Sequence, residues 1–266
     1  MERITTIEAM DAHRGCGLVP TMGALHPGHL SLIERMRSLI EDVVVTVFVN
    51  PAQFNDPEDL DRYPRTLEAD LAAAASAGAT TVFAPSVDTI YPADAPVWQP
   101  ALPRVARIPG LEDAHRPGHF DGVCKVVARL FDLAQPALAI FGEKDWQQMR
   151  VLESMVQDHA DRWPGLRMLR GETVRESDGL AMSSRNMLLT SAQRDRALGL
   201  SRALAAAGEG EGAMHKVLDE HGLETEYAVI RDAATLEPVD AGSNAPARAL
   251  IAARLDAVRL IDNASC

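Results

Sequence analysis

From Asp121 to Gln135 the chain places Val123, Val126, Val127, Leu130, Phe131 and Ala134 at spacings of three and four, the repeat of a helix with one buried face. Apolar runs and helical stretches alternate through the first two thirds of the chain. Gly17 to Thr21 reads as a strand and Gly28 to Glu41 as a helix, with Leu32, Ile33, Met36, Leu39 and Ile40 on one face. Val43 to Val49, largely β-branched, reads as a strand buried on both sides, and a polar loop follows from Asn50 to Arg65. A helix from Thr66 to Ala77 closes at Gly78, a strand covers Thr80 to Ala84, and the proline-rich passage from Pro85 to Pro109 reads as irregular. After the Asp121 helix come a strand at Ala137 to Phe141, a helix from about Lys144 to His159 and a strand at Leu166 to Thr173.

This alternation implies an α/β, Rossmann-like parallel sheet with right-handed crossovers and helices on both faces. After about Thr173 the pattern changes. Thr190 to Gln193 has the form of a capping box opening a helix to about Ala207, and Gly208 to Gly212 reads as a turn. Glu226 to Asp232, Ala249 to Arg254 and Ala257 to Ile261 read as short strands. The expected division is a Rossmann-like domain over 1–173 and a smaller C-terminal α+β domain over 174–266.

With 266 residues both parts can bury a core. The balance of 26 basic against 38 acidic residues, a net charge of -12, counts against nucleic acid or an anionic membrane surface as a partner. Cys16, Cys124 and Cys266 stand far apart, which suggests neither a zinc knuckle nor a redox pair and leaves the cytoplasm as the default compartment. The N-terminal MERITTIEAMDAHR has no apolar signal core, and Val43 to Val49 is too short to cross a bilayer.

Candidate chemistry concentrates where predicted strands end. In Pro20 to Ile33, PTMGALHPGHLSLI, His26 and His29 flank Gly28 where a strand gives way to a helix. Unpaired N–H groups and the positive end of the helix dipole converge there, so the expected ligand is a nucleotide triphosphate. Two unrelated histidines, or a metal pair, would share this spacing, but a metal needs a third ligand and none stands nearby in sequence.

Three further segments carry polar groups out of predicted strands or across the expected domain junction. Phe48 to Thr66 presents Asn50 and Gln53, amides suited to hydroxyl and carboxylate oxygens, although an Asn-Pro turn with a capping amide reads the same way. Phe141 to Met149 offers Gly142 for close backbone approach, Lys144 for phosphates, Asp145 for ribose hydroxyls or a cap, and Gln148 one turn further on. Arg175 to Asn186 brings Ser183, Ser184 and Arg185 into one loop, which suits either a closing grip on a polyphosphate or a solvated turn.

Taken in order, PTMGALHPGH, FVNPAQFNDPEDLDRYPRT, RPGHFDGVCKVVARLF, FGEKDWQQM, RESDGLAMSSRN and the terminal RLIDN resemble the pantoate:beta-alanine ligase family over nearly the whole chain. The His-x-Gly-His element and the serine loop are also similar to signatures of nucleotidylyltransferases and class I aminoacyl-tRNA synthetases. The glutamine segments and the Gly-Glu-Lys-Asp run narrow the resemblance to the ligase.

The resemblance implies that (R)-pantoate attacks the α-phosphate of ATP to give pantoyl adenylate, from which beta-alanine displaces AMP. It assigns ATP contacts to Met22, Gly23, Ala24, Leu25, His26, Pro27, Gly28, His29, Gly142, Glu143, Lys144, Asp145, Val174, Met182, Ser183, Ser184 and Arg185. Pantoate falls to Gln53, Gln148 and Asn50, and beta-alanine to Gln53. His29 takes the place of a proton donor, with His26, Lys144, Ser183, Ser184 and Arg185 beside the phosphates. Mg²⁺ arrives on the ATP with no protein ligand assigned, and no tightly bound organic cofactor is implied.

A homodimer and a C-terminal lid complete the expectation, while His119 and His159, outside the histidine motif, are expected to tolerate replacement. Two features depart from the family pattern: Trp146 stands where Tyr or Phe is usual, and the chain is short around Gly208 to Gly222. A nucleotidylyltransferase, or a nucleotide-sensing module without chemistry, remains the alternative.

Overall fold

The computed structural model describes residues 1–55, 57–239 and 244–266. Six strands, β1 (Glu2–Ile4), β2 (Gly17–Thr21), β3 (Val43–Val47), β4 (Thr81–Phe83), β5 (Leu138–Gly142) and β6 (Arg167–Gly171), form one sheet in the order β1-β4-β3-β2-β5-β6. All its pairings are parallel, as the alternation requires. The order reverses between β2 and β5. At such a switch point the connections leave on opposite faces of the sheet, opening a crevice at the carboxyl ends of both strands. The histidine motif follows β2 and the Gly-Glu-Lys-Asp run follows β5, so topology brings the two to one crevice.

The valines of β3 are fully buried at Val43, Val44 and Val45, and the helix His119–Ala134 buries all six of its predicted apolar positions. Several boundaries and elements differ from expectation. The helix expected to reach Glu41 spans Pro27–Arg37, and Leu39, 56% exposed, leaves the buried stripe as the chain turns toward β3. The polar loop contains a 3-10 turn, Pro51–Gln53, and a helix, Pro57–Arg62, that buries no residue and so carries no apolar signal. Strand β1 was not expected, since only Ile4 of its three residues is buried.

The C-terminal part holds β7 (Glu224–Asp232), β8 (Ala247–Leu255) and β9 (Val258–Ser265) in an antiparallel sheet. The expected continuous helix is two, Ser191–Ala197 behind the Thr190 capping box and Gly199–Ala205. Gly199 packs so tightly on His221 that an added Cβ would lie 2.7 Å from its Cβ. The helix Glu211–Glu220 follows where the Gly208 to Gly212 turn was expected to lead directly toward strands. Its two buried residues, Met214 and Leu218, make one weak repeat.

The second sheet is not loosely attached. Leu111, Trp146, Tyr227, Leu236, Leu250 and Ala252 form one buried cluster across the junction. Beside it the buried Glu112 carboxylate accepts from Arg259 at 2.6 and 2.8 Å and from the Tyr227 hydroxyl at 2.7 Å. No helix among the described residues is long and apolar enough to cross a membrane.

Candidate active site

The turn leaving β2 is held by the protein's own groups. Gly23 and Ala24 both adopt positive φ, at 82° and 50°. The N–H groups of Ala24 and Leu25 donate to the buried carboxylate of Asp70 at 3.1 and 2.7 Å. These amides, expected at ATP, are therefore spent on Asp70, and Gly23, Ala24 and Leu25 shape the turn without lining the cleft. Asp70 sits in the alanine-rich helix, 46 residues from Ala24, and no local pattern marks it.

His26 and His29 stand together at the start of the helix Pro27–Arg37, their rings 4.0 Å apart. The His26 N–H donates to Nδ1 of His29 at 3.3 Å, so the hydrogen of a neutral His29 lies on Nε2. Burial, followed by the neighbouring His26, pushes the His29 pKa down to about 3, making the ring an uncharged donor at neutral pH. Burial and then Lys144 also lower His26, whose buried Nδ1 has no protein partner. Gly28 explains the spacing: an added Cβ there would stand 2.9 Å from Cε1 of His26.

At the end of β5, Lys144 Nζ lies 3.6 Å from Asp145 Oδ1. Asn263 of β9 donates from Nδ2 to the carbonyls of Glu143 and Lys144 at 3.0 and 2.7 Å, and Arg248 of β8 donates to Asn263 Oδ1 at 2.6 Å. Arg248 also lies 3.6 Å over the Trp146 ring and 3.3 Å from the Glu143 carboxylate. Glu143, another expected ATP contact, is thus turned to Arg248. This grip from the second sheet gives RLIDN a structural role that no spacing discloses. Asp262 of the same run is buried and ion-paired with Arg175 at 2.7 Å.

The amide wall is more closely tied than expected. Asn50 is 1% exposed, and all its amide capacity is occupied: Nδ2 donates to Gln53 Oε1 and Gly122 O, while Oδ1 accepts from the Tyr91 hydroxyl and the Ala52 N–H. It still lines the cleft, as a side chain fixed from four directions. Gln53 and Gln148 both line the cleft, and Gln148 has no side-chain hydrogen bond among the described residues. His119, expected to tolerate replacement far better than His29, is buried in the cleft wall and bonds Gln53 O through Nδ1 at 2.9 Å and Arg116 through Nε2 at 3.2 Å. Arg116, His119 and Tyr63 line the cleft without having been expected there.

The serine loop closes the other side. Met182 N–H donates to Val174 O at 2.9 Å, setting both residues in the cleft wall. Ser183 caps Arg185 N–H at 3.3 Å, Ser184 lines the cleft together with Tyr63, and Arg185 pairs with Asp59 at 2.9 Å. Met22, His26, Gly28, His29, Gly142, Lys144, Asp145, Val174, Met182, Ser183, Ser184 and Arg185 thus share one cleft, whereas Pro27 lines a second pocket that shares His26, Met182 and Ser183 with it.

This arrangement is similar to that of proteins already characterised. The family model described as pantoate-beta-alanine ligase matches residues 1–265. A pantothenate synthetase of Nocardioides sp. is 49% identical, with 98% of this chain and 82% of that protein covered. One from Rubrobacter xylanophilus is 47% identical, covering 94% and 90%. The crystal structure of pantothenate synthetase from Thermus thermophilus has a TM-score of 0.91 at 42% identity, with 99% of each chain covered. The pantoate-beta-alanine ligase of Francisella tularensis, crystallised with beta-gamma ATP and beta-alanine, has a TM-score of 0.83 at 32% identity, covering 100% of this chain and 97% of that one.

Proposed function

We propose a reaction course for this chain from one premise: it belongs to the pantoate-beta-alanine ligase family. It is a ligase that uses ATP to join pantoate to beta-alanine, giving pantothenate. In the proposed course a carboxylate oxygen of (R)-pantoate attacks the α-phosphorus of ATP and the bond to pyrophosphate breaks. The amine of beta-alanine then attacks the pantoyl carbonyl, AMP leaves with the bonding electrons, and the amine loses a proton.

The observation that carries this course is the convergence of His29, Lys144 and the Ser183 loop on one cleft beside Gln53 and Gln148. In-line attack needs little covalent help, but it needs developing phosphate charge met by fixed donors and both reactants held in line. His29 Nε2–H, His26, Lys144, Ser183, Ser184 and Arg185 are the proposed donors, with Gly142, Val174 and Met182 framing the nucleotide. Gln53 and Gln148 are proposed to hold pantoate, and Gln53 to touch beta-alanine.

Mg²⁺ bound to the triphosphate would supply further neutralisation. The Asp145 carboxylate, 3.6 Å from Lys144 and otherwise unpaired among the described residues, would stand beside it. Residues 174–266 are proposed to act as a lid that shields the adenylate from water. The family resemblance supports a cytoplasmic homodimer.

ATP labelled with ³²P at the α-phosphate tests the course. Pyrophosphate should form with pantoate alone, and free labelled AMP should appear once beta-alanine is added. Label that stays covalently attached to a released product, whatever amine is present, would instead assign a nucleotidylyltransferase.

A further inference from the structure

We propose that Arg116 is the receptor for the carboxylate of beta-alanine, an inference that rests on the ligase reading. Among the described residues three basic side chains line the cleft: Arg116, Lys144 and Arg185. The reaction brings three anionic groups, namely the triphosphate, the pantoate carboxylate and the beta-alanine carboxylate. Lys144 stands close enough to the two histidines to lower both their pKa values, and Arg185 follows the two loop serines. Both belong with the phosphates. Arg116 comes from another wall, just before the helix His119–Ala134.

Charge accounting around Arg116 leaves it underpaired. Its guanidinium donates to two neutral acceptors, His119 Nε2 at 3.2 Å and Gln53 O at 3.4 Å. The one carboxylate within reach, Glu112, is 3.7 Å away and already held by Arg259 through two shorter bonds and by the Tyr227 hydroxyl. Arg259 also bonds Glu226, which Arg254 shares at 2.8 Å. Three guanidinium groups thus face two carboxylates, and His115, 3.6 Å from Glu226, adds no negative charge. The surplus positive charge falls to Arg116, whose side chain is only 20% exposed. A cation held away from water without a full partner is stabilised when an anion arrives, and the guanidinium fork matches a carboxylate.

The reaction geometry selects the anion. Pantoate must turn its carboxylate to the α-phosphate, and that charge disappears when the mixed anhydride forms. Beta-alanine must bring its amine to the same carbonyl, and its two methylenes carry its own carboxylate away from the phosphates. Arg116 is bonded to the backbone of Gln53, beside the proposed pantoate position, where that carboxylate would fall.

Arg116→Met and Arg116→Lys test the assignment through the two half reactions. Pantoate-dependent exchange of pyrophosphate into ATP reads the first. Aminolysis by beta-alanine, compared with n-propylamine, which keeps the amine and lacks the carboxylate, reads the second. Arg116→Met should lower kcat/KM for beta-alanine by about 10²-fold, the scale of a lost charge-assisted bond, while propylamine changes by less than about threefold and exchange persists. Arg116→Lys should fall between; if the methionine variant melts early, a tenfold or greater loss of discrimination in the lysine variant carries the proposal.

Equal losses for both amines, an unchanged preference for beta-alanine, or loss of exchange would overturn it. A wild-type chain that makes no pantothenate would reject the ligase reading instead.

Discussion

The backbone N–H of His26 donates to Nδ1 of His29 at 3.3 Å, and this one bond leaves the hydrogen of the neutral ring on Nε2 in a residue that lines the cleft. Burial pushes the His29 pKa down to about 3, so the ring is uncharged at neutral pH, as the proposed donor role requires. His29→Ala should slow pantoate-dependent pyrophosphate exchange by roughly 10²-fold with little change in melting temperature, as expected for a lost donor to developing charge. In the free protein at pH 7, ¹⁵N-resolved imidazole signals should show hydrogen on Nε2 and none on Nδ1. A ring charged at pH 6 would remove this account of its role.

Arg185 pairs with Asp59 at 2.9 Å, and the proposed phosphate contact would exchange that partner for the nucleotide. The pair is partly exposed, at 31% and 40%, so its net value is on the order of 0.2–1 kcal/mol. Asp59→Asn should therefore lower KM for ATP by up to about fivefold. A raised KM would show that Asp59 positions Arg185 for the nucleotide. Cleavage of the loop near Arg185 should also slow when ATP and Mg²⁺ are added.

Glu112→Gln should destabilise the chain by roughly 3 kcal/mol at pH 7, because it leaves Arg259 inside without its main partner. Burial alone would raise the Glu112 carboxyl, but the hydrogen bonds and charge of Arg259 outweigh it and hold it down at about 2. A depressed carboxyl contributes stability that is complete above its unfolded value of 4.5 and is lost as pH falls through about 2. Urea unfolding should show the gap between wild type and variant closing across that window.

His119→Ala should raise KM for pantoate by about tenfold or more and cost roughly 1–3 kcal/mol, because the carbonyl of Gln53 loses the shorter of its two donors and keeps Arg116 at 3.4 Å. His159→Ala should be milder, since that ring lies outside the cleft against Trp98. Burial, then Arg116, lowers the His119 pKa to about 4. A depressed histidine stays neutral when folded while the unfolded chain takes up a proton below 6.5, so wild type loses stability from pH 6.5 down to about 4. The variant should show a shallower slope in unfolding experiments, with the contributions of His26 and His29 remaining.

Much of the cleft was legible along the chain because its parts follow strand ends directly. His26, Gly28, His29, Gly142, Lys144, Asp145 and the Ser183 to Arg185 loop each follow an apolar run or the expected domain junction, where local pattern marks a turn. Gln53 and Gln148 were legible in the same way. Asn50 was readable as an amide at a strand end, but not as one whose four hydrogen-bonding positions are taken by protein. Arg116 and His119 belong to the run RPGHFDGV, yet their approach to Gln53 spans 63 and 66 residues.

The sequence by itself determined the alternating elements, the parallel sheet and the residues that leave its strand ends, since hydrophobic period and turn chemistry are local properties of the chain. Tertiary structure decided which polar groups remain available to a ligand. Asp70 consumes the amides of Ala24 and Leu25, Arg248 takes Glu143, Tyr91 and Gly122 complete Asn50, and Arg259 claims Glu112 ahead of Arg116. Each of these is a competition between partners distant in sequence, settled by distance and burial, and a linear pattern records neither.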